Sequence, residues 1–263
     1  ILELEPKEEI ELVEIKNLLE KSIAFRKKQG AINIESHNSK IELYKNKISI
    51  TKFDNTISHI IVAEAMILMG YVTSLFLNKN NLGAIYRIQK INCNPYEILN
   101  KYKDSEIKFI ILKQYIGKSY FTVKPGKHDS LGLTTYVQCT SPLRRYLDLI
   151  IQRQVYNKIN DYKPLSINSI SGIIDYSKNR QLENNHLIKN DKFKYLSLFF
   201  KNENKSFYKI IFVKWINQKR NIALVYFPEY SLEILITFYV SIEIYNNKIY
   251  NVKYSISDNN LLE

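Results

Sequence analysis

Two adjacent arginines follow a Ser-Pro pair in the stretch CTSPLRRYLDLIIQRQ, which covers residues 139–154. Ser141 is a favourable helix N-cap and Pro142 suits the first helical position, so the stretch predicts a helix over about 143–159. Arg144 and Arg145 then lie in its first turn, where the helix dipole is already positive. One interpretation is a surface salt bridge with Asp148. The other is an anion site, in which guanidinium and N–H groups bind a phosphate.

A lone carboxylate, Glu64, interrupts the apolar stretch IIVAEAMILMGYVTSLFL. The stretch approaches the length of a membrane span, but the central carboxylate and the lack of a second span favour a buried helix. An unpaired buried carboxylate is costly, so Glu64 requires a basic, hydroxyl or ligand partner. An arginine of the same core and a functional ligand both remain open. Spacings of four and three predict one buried face, formed by Ile57, Ile61, Glu64, Leu68, Tyr71 and Leu75.

Composition favours a globular protein with a polyanionic partner. The chain has 263 residues, 45% of them hydrophobic and 24% charged, and a net charge of +12. Seven Glu and two Lys make the first twenty residues acidic, so the basic excess lies farther along the chain. Charge alone does not distinguish a nucleic-acid partner from an acidic membrane surface. With only Cys93 and Cys139 and four separate histidines, the sequence predicts no disulfide scaffold and no zinc cluster.

Several local signals predict the elements that would position these residues. A helix is expected over about 11–29, strands of a meander over 31–53, and one or two short helices over 91–117. A long helix is expected over about 169–200. After residue 205 five short strands predict a small OB-like barrel, a fold that often binds single-stranded nucleic acid. Its aromatic residues are candidates either for base stacking or for the barrel core: Phe207, Tyr208, Trp215, Tyr226 and Phe227.

The stretch HDSLGLTTYVQCTSPLRRYLDLIIQRQ, which contains the arginine pair, resembles the C-terminal signature of the ribonuclease II and ribonuclease R exoribonucleases. That signature reads roughly His-x-x-Leu-Gly-Leu-x-x-Tyr and, after a short gap, Thr-Ser-Pro-Ile-Arg-Arg-Tyr-x-Asp. RKKQGAI, SHIIVAEAMIL and AIYRIQ are similar to earlier family segments. The matching signature positions are His128, Leu131, Gly132, Leu133, Tyr136, Thr140, Ser141, Pro142, Arg144, Arg145, Tyr146 and Asp148, with Leu143 for the usual Ile.

The resemblance implies a hydrolase that threads single-stranded RNA into a basic channel and releases 5′ nucleotides from the 3′ end with two divalent metals, expected to be Mg²⁺. It implies that Arg144 holds the scissile phosphate and stabilises its developing charge. It implies that Arg145 makes a second phosphate or structural contact, and that Glu64 accepts from a ribose 2′-OH. By the same resemblance Tyr136, His128 and Ser141 are expected to contact RNA.

The chain also departs from the family pattern. Gln152 stands where the family commonly has His, and Asn190 or Asp191 where many members have Glu. The family's Asp-rich metal-binding stretch has no counterpart, because the first aspartate is Asp54 and the acids of residues 1–20 lack the spacing. Metal ligands are therefore expected outside this chain. Two hypotheses remain: a C-terminal portion of an exoribonuclease whose metal-binding segment lies elsewhere, or a non-catalytic RNA-binding protein of the same fold.

These expectations define one architecture. We predict an α+β fold, in which residues 1–204 form the C-terminal portion of an RNB catalytic domain, with helices around a mixed sheet. Residues 205–263 form a small five-stranded OB-like barrel that binds RNA. The expected partner is single-stranded RNA, with no membrane, and a missing N-terminal segment of the same protein is a further candidate partner. The chain is expected to be a monomer in the cytoplasm or an equivalent organellar stroma.

Overall fold

A computed structural model describes residues 10–32, 38–45, 47–53, 56–203, 205–239 and 248–253. Its helices are α1 (Ile10–Lys28), α2 (Ile57–Lys79), α3 (Pro95–Lys101), α4 (Lys108–Tyr115), α5 (Tyr146–Ile159) and α6 (Ile167–Glu203). Its strands are β1 (Asn38–Tyr44), β2 (Lys47–Phe53), β3 (Tyr86–Ile88), β4 (Tyr120–Thr122), β5 (Tyr208–Asn217), β6 (Ile222–Phe227), β7 (Leu232–Thr237) and β8 (Ile249–Val252).

The chain forms two compact units that alternate along the sequence. The first comprises the described parts of Ile1–Asn33, Asn55–Cys93 and Ile116–Gln181, and the second those of Ile34–Asp54, Asn94–Tyr115 and Leu182–Glu263. These units are defined by which segments pack together, whereas the predicted domains are defined by one division of the sequence after residue 204. The assignment of residues 1–204 and 205–263 to two domains therefore stays a prediction.

The first unit packs α2, α5 and the start of α6 around the two-stranded sheet of β3 and β4. Its core contains Leu77, Ile85, Val137, Ile151 and Ile170, none of which is more than 1% exposed. β3 and β4 pair antiparallel, and Tyr86 also bridges to Val137, so the segment before the arginine pair runs beside the sheet. This packing fixes the polypeptide that leads into α5.

Helix α2 is apolar all round, but only one side of it is buried. The predicted face is wrong at its ends, because Ile57 and Leu75 are 63% and 42% exposed. Small residues that allow close approach, rather than large apolar ones, occupy much of the buried side. Within the described residues, α2 is also the one helix long and apolar enough to cross a membrane by length and composition, a test that core helices pass as well. The buried positions are Glu64, Gly70, Thr73, Ser74 and Leu77.

The second unit contains a four-stranded antiparallel sheet in the order β7-β6-β5-β8. Side chains alternate along β5, so that Ile210 and Phe212 join one apolar cluster and Ile211 and Val213 join another. Leu196 and Phe200 of α6 lie in the first cluster, with the β1–β2 hairpin packed against it. Residues of α4 and the turn before it, among them Ile110 and Ile107, lie in the second. Both faces of the sheet are therefore covered.

The mixed helix-and-sheet class is confirmed, and the four-stranded sheet agrees with an OB-like module. The fourth of the five predicted strands, over residues 241–245, lies outside the described residues. Among the aromatic candidates, Tyr208, Tyr226 and Phe227 are buried in the core. Trp215 packs in a T-shaped geometry against Phe212. The core interpretation is therefore right for these residues, while Phe207 is 64% exposed.

Candidate functional site

The two arginines of the opening motif lie in a turn that precedes helix α5. Arg144 N and Arg145 N both donate to Ser141 O, at 3.3 and 3.0 Å. Arg145 is then extended (φ −129°, ψ 106°) and is itself the N-cap, without a side-chain cap. The prediction that Ser141 caps the helix is wrong, because the Ser-Pro signal starts a separate turn and α5 begins only at Tyr146.

Asp148 holds this turn against the helix. Its carboxylate is 1% exposed, and Oδ2 accepts from Ser141 N and from Arg145 Nε, each at 2.9 Å. Arg145 Nη2 lies 2.6 Å from the same oxygen. The salt-bridge interpretation is therefore confirmed for Arg145 but not for Arg144, and the bridge is largely buried rather than at the surface. Asp148 Oδ1 has no hydrogen-bond partner within the part of the chain that the structure describes.

Arg144 is exposed, and no described residue pairs with its guanidinium group. Leu143, the residue before it, is fully exposed at 103%, and Tyr146 is 52% exposed. The turn therefore presents one free cation beside apolar surface, while the neighbouring cation is neutralised. Free guanidinium donors on a fixed turn are well suited to a phosphate oxygen.

Glu64 is buried at 3% exposure, and its carboxylate is already paired. Oε1 accepts from Ser22 Oγ at 2.7 Å and from Arg26 Nε at 2.9 Å, and Oε2 binds Arg26 Nη2. Arg26 Nη1 donates to Leu131 O at 3.1 Å, so the pair joins α1, α2 and the loop after β4. The structure thus contains the arginine partner that the sequence left open. The ribose contact stays a prediction.

The loop with His128 and Tyr136 forms a third part of the site. Both side chains are buried, and their rings pack edge to face with centroids 5.6 Å apart. Burial lowers the pKa of His128 to about 4, with a further lowering by the nearby Arg87 cation, so the ring is neutral at pH 7. Burial likewise raises the pKa of Tyr136. Their proposed RNA contacts are untested.

Two glycines allow backbone elements to approach in this region. A Cβ on Gly70 of α2 would lie 2.4 Å from Val137 O and 2.5 Å from the Tyr136 ring. Gly132 adopts a left-handed conformation (φ 64°), and a Cβ there would lie 2.5 Å from Arg26 O. These contacts place the His128–Tyr136 segment directly against α1 and α2.

Further anchors of the site are missing from the sequence-based prediction. Gln152, noted there only as a departure, donates to Cys139 O at 2.7 Å and ties α5 to the segment before the turn. Cys139 Sγ also lies 3.6 Å from Thr73 Oγ1 of α2. Arg26 belongs to the quoted RKKQGAI segment, but its pairing with Glu64 spans 38 residues. No local spacing indicates such a contact.

The carboxylates around the site do not fit a divalent metal. Glu64 is neutralised by Arg26, Asp148 is bound to Arg145, and Asp129 Oδ2 accepts from Ile91 N at 3.0 Å. Among the described residues, no group of three or more His, Cys, Asp or Glu could hold a metal ion. A metal-binding site formed by several carboxylates therefore requires residues beyond this cluster.

The sequence matches a known protein family over more than half of its length. The model of the RNB domain matches residues 3–161. A ribonuclease of Synechocystis, itself described as uncharacterized, is 27% identical over 230 residues, which are 86% of this chain and 34% of the relative. The chain therefore spans about a third of the length of that relative.

Solved structures show the same fold. Dss1 exoribonuclease of Candida glabrata, an active-site mutant, has a TM-score of 0.82 at 17% identity, over 97% of this chain and 35% of that one. Ribonuclease R of Mycoplasma genitalium, bound to ribose-methylated single-stranded RNA, has a TM-score of 0.76 at 17% identity, over 100% and 46%. Yeast Ssd1, described as a pseudonuclease, has a TM-score of 0.57 at 13% identity, over 90% and 34%.

Proposed function

Because the chain belongs to the RNB-domain family of ribonucleases II and R, we propose that it serves 3′-to-5′ hydrolysis of single-stranded RNA to 5′-nucleoside monophosphates. The observation that carries the proposal is the free guanidinium of Arg144, on a turn that Asp148 fixes within the family motif. In this proposal Arg144 contacts the scissile phosphate and stabilises the charge that develops on it. Arg145 mainly positions the turn.

The metal in this proposal comes with an acidic segment that is not among the residues described. RNB exoribonucleases are metal-dependent, and Mg²⁺ is our choice of ion for hydrolysis at a phosphate. Glu64, Asp148 and Asp129 each accept from protein donors, so the described residues contribute to binding of the phosphate rather than of the metal. In this arrangement the acidic segment supplies the metal, and this chain supplies Arg144 as the contact to the phosphate.

A second candidate is a non-catalytic RNA-binding protein. Two observations favour it: the occupied carboxylates, and a fold that resembles a pseudonuclease as well as active enzymes. In that case the turn with Arg144 and the second unit hold RNA without cleaving it. The two candidates share the anion site and differ only in whether an acidic segment completes it.

The test is incubation of the chain with a 5′-labelled oligouridylate, with Mg²⁺ or with EDTA, next to the Arg144→Ala variant. Hydrolysis that requires Mg²⁺ and falls about 10²–10³-fold in Arg144→Ala would establish the enzyme. Binding without shortening, weakened in Arg144→Ala, is expected of both candidates, and cleavage restored by an added acidic segment would then identify the enzyme. Absence of any RNA binding would contradict both candidates.

The matched control is Arg153→Ala, since Arg153 is an exposed arginine of α5 in the same unit. Its removal takes away the same charge and leaves the turn intact. Equal effects of the two substitutions would mean that only overall charge matters, and would contradict a specific role of Arg144.

A further inference from the structure

Arg87 of β3 is a partly buried arginine without a carboxylate partner among the described residues. Its Nε donates to Ser119 Oγ at 2.9 Å, and its Cζ lies 5.8 Å from the centre of the Phe121 ring. Neither terminal nitrogen has an acceptor in the described ranges. By contrast, Arg26 and Arg145 each bind a buried carboxylate.

This arrangement is costly for the free protein. Burial is the main cause that lowers the pKa of Arg87, and the Arg145 cation lowers it further. Tyr136 and Asp148 act in the opposite direction. A desolvated cation without a counterion is unfavourable, because the water that solvated it is only partly replaced. The neighbouring His128 is neutral at pH 7, so it neither relieves nor adds to the charge.

The same arrangement is suited to an anion. The ring of Phe121 and the hydroxyl of Ser119 fix the plane of the guanidinium group, and the two terminal nitrogens keep their donors. A planar, fixed pair of donors matches the oxygens of a phosphate. Arg87 N donates to Tyr136 O at 2.9 Å, in the segment that leads to the turn, and the Arg145 cation contributes to the lowered pKa of Arg87. The guanidinium of Arg87 thus belongs to the same region as the turn.

We propose that Arg87 is a second phosphate-binding residue, which receives a backbone phosphate of single-stranded RNA. This inference rests on the proposed function for the identity of the RNA, but the anion site itself does not. Phosphate is favoured over a protein carboxylate because Arg87 shares a unit with the free Arg144, in a basic chain. A bound protein carboxylate would instead make Arg87 a structural residue.

The test compares Arg87→Met with the unmodified chain in binding of a 5′-labelled oligouridylate. We expect affinity to fall about tenfold at low salt, and the slope of log Kd against log salt to decrease by about 0.7, as for one lost contact to single-stranded RNA. The thermal midpoint should stay the same or rise, because the substitution removes an uncompensated cation. Arg153→Met, an exposed arginine of the same unit, should change the affinity much less.

A second variant separates position from charge. Ser119→Ala keeps the cation but removes the one hydrogen bond that its side chain makes to a described residue, so affinity should fall by less than in Arg87→Met. Wild-type affinity in a folded Arg87→Met variant would overturn the proposal. A lower thermal midpoint in Arg87→Met would overturn it as well, because the guanidinium would then be a structural group.

Competition with inorganic phosphate separates this inference from the proposed function. If the unmodified chain binds phosphate saturably but binds no RNA, and Arg87→Met loses the phosphate, the anion site stands and the RNA function fails. If the chain binds RNA and Arg144→Ala weakens it while Arg87→Met does not, the function stands and the Arg87 site fails.

Discussion

Replacing Glu64 by Gln tests whether its carboxylate is a structural group or a contact for RNA. The carboxylate is 3% exposed and Arg26 is 13% exposed, so the pair is almost completely removed from water. The substitution leaves the Arg26 cation uncompensated, and the new amide donor faces the donors of Arg26 and Ser22. Breaking one partner of a buried pair costs about 3–5 kcal/mol. We expect a loss of that size in the free energy of unfolding.

The assay is urea unfolding followed by far-UV circular dichroism, where this loss corresponds to a midpoint lower by about 1–2 M. The double variant Arg26→Met with Glu64→Leu should recover most of the stability, because both charges are then absent. Glu20→Gln is the matched control. Its pair with Lys16 is exposed at 58% and 46%, and its loss should cost less than about 0.5 kcal/mol. A loss below about 1 kcal/mol in Glu64→Gln, combined with weaker discrimination between RNA and DNA, would refute the structural role.

Gly70→Ala should lower the free energy of unfolding by about 1–3 kcal/mol in thermal melts, because its Cβ would overlap Val137 O and the Tyr136 ring. Gly172→Ala in α6, where no atom lies within 4 Å of the Cβ, should instead stabilise by up to about 1 kcal/mol, and equal effects would contradict the close approach. His128 has a pKa of about 4 in the folded chain, below its ordinary 6.5, so the unfolded chain is protonated first and stability is lost as pH falls from 6.5 towards 4. The unfolding free energy of the unmodified chain should fall between about pH 7.5 and pH 5, and His128→Gln should make this fall about 2 kcal/mol smaller. Urea titration at each pH measures the difference. The same fall in both proteins would mean that the ring is solvated.

Local signals in the sequence are enough for most of the elements. The 3.6-residue period, the Gly30 stop and the alternation in NSKIELY and KISITKF predict α1 and the β1–β2 hairpin. The α5 start fails because Ser141 and Pro142 give the same signal for an isolated turn as for a helix. Strands β3 and β4 have three residues each and are separated by two helices, so no periodicity indicates their pairing.

The sequence identifies which residues belong to the site, but it does not show which of them pair with each other. The motif identifies Arg144, Arg145 and Asp148, yet only the folded turn shows that Asp148 neutralises one arginine and leaves the other free. The cost of an unpaired buried carboxylate requires a partner for Glu64 but does not identify it, because Arg26 lies 38 residues away. Arg87 is missed for a similar reason. Its missing counterion is a property of the surroundings and not of its spacing.

The middle stretch of the long helix α6 is exposed to solvent. All side chains of residues 178–192 are exposed, and four of these residues are asparagine, a poor helix former. Apart from local contacts such as those of Arg180 with Tyr176 and of Asn190 with His186, substitutions there mainly alter the intrinsic tendency to remain helical. The four asparagines therefore lower the helix-forming tendency of the stretch without affecting an apolar core. Ile170 and Phe200, near the two ends of α6, are instead buried in apolar clusters, so substitutions at these positions change packing.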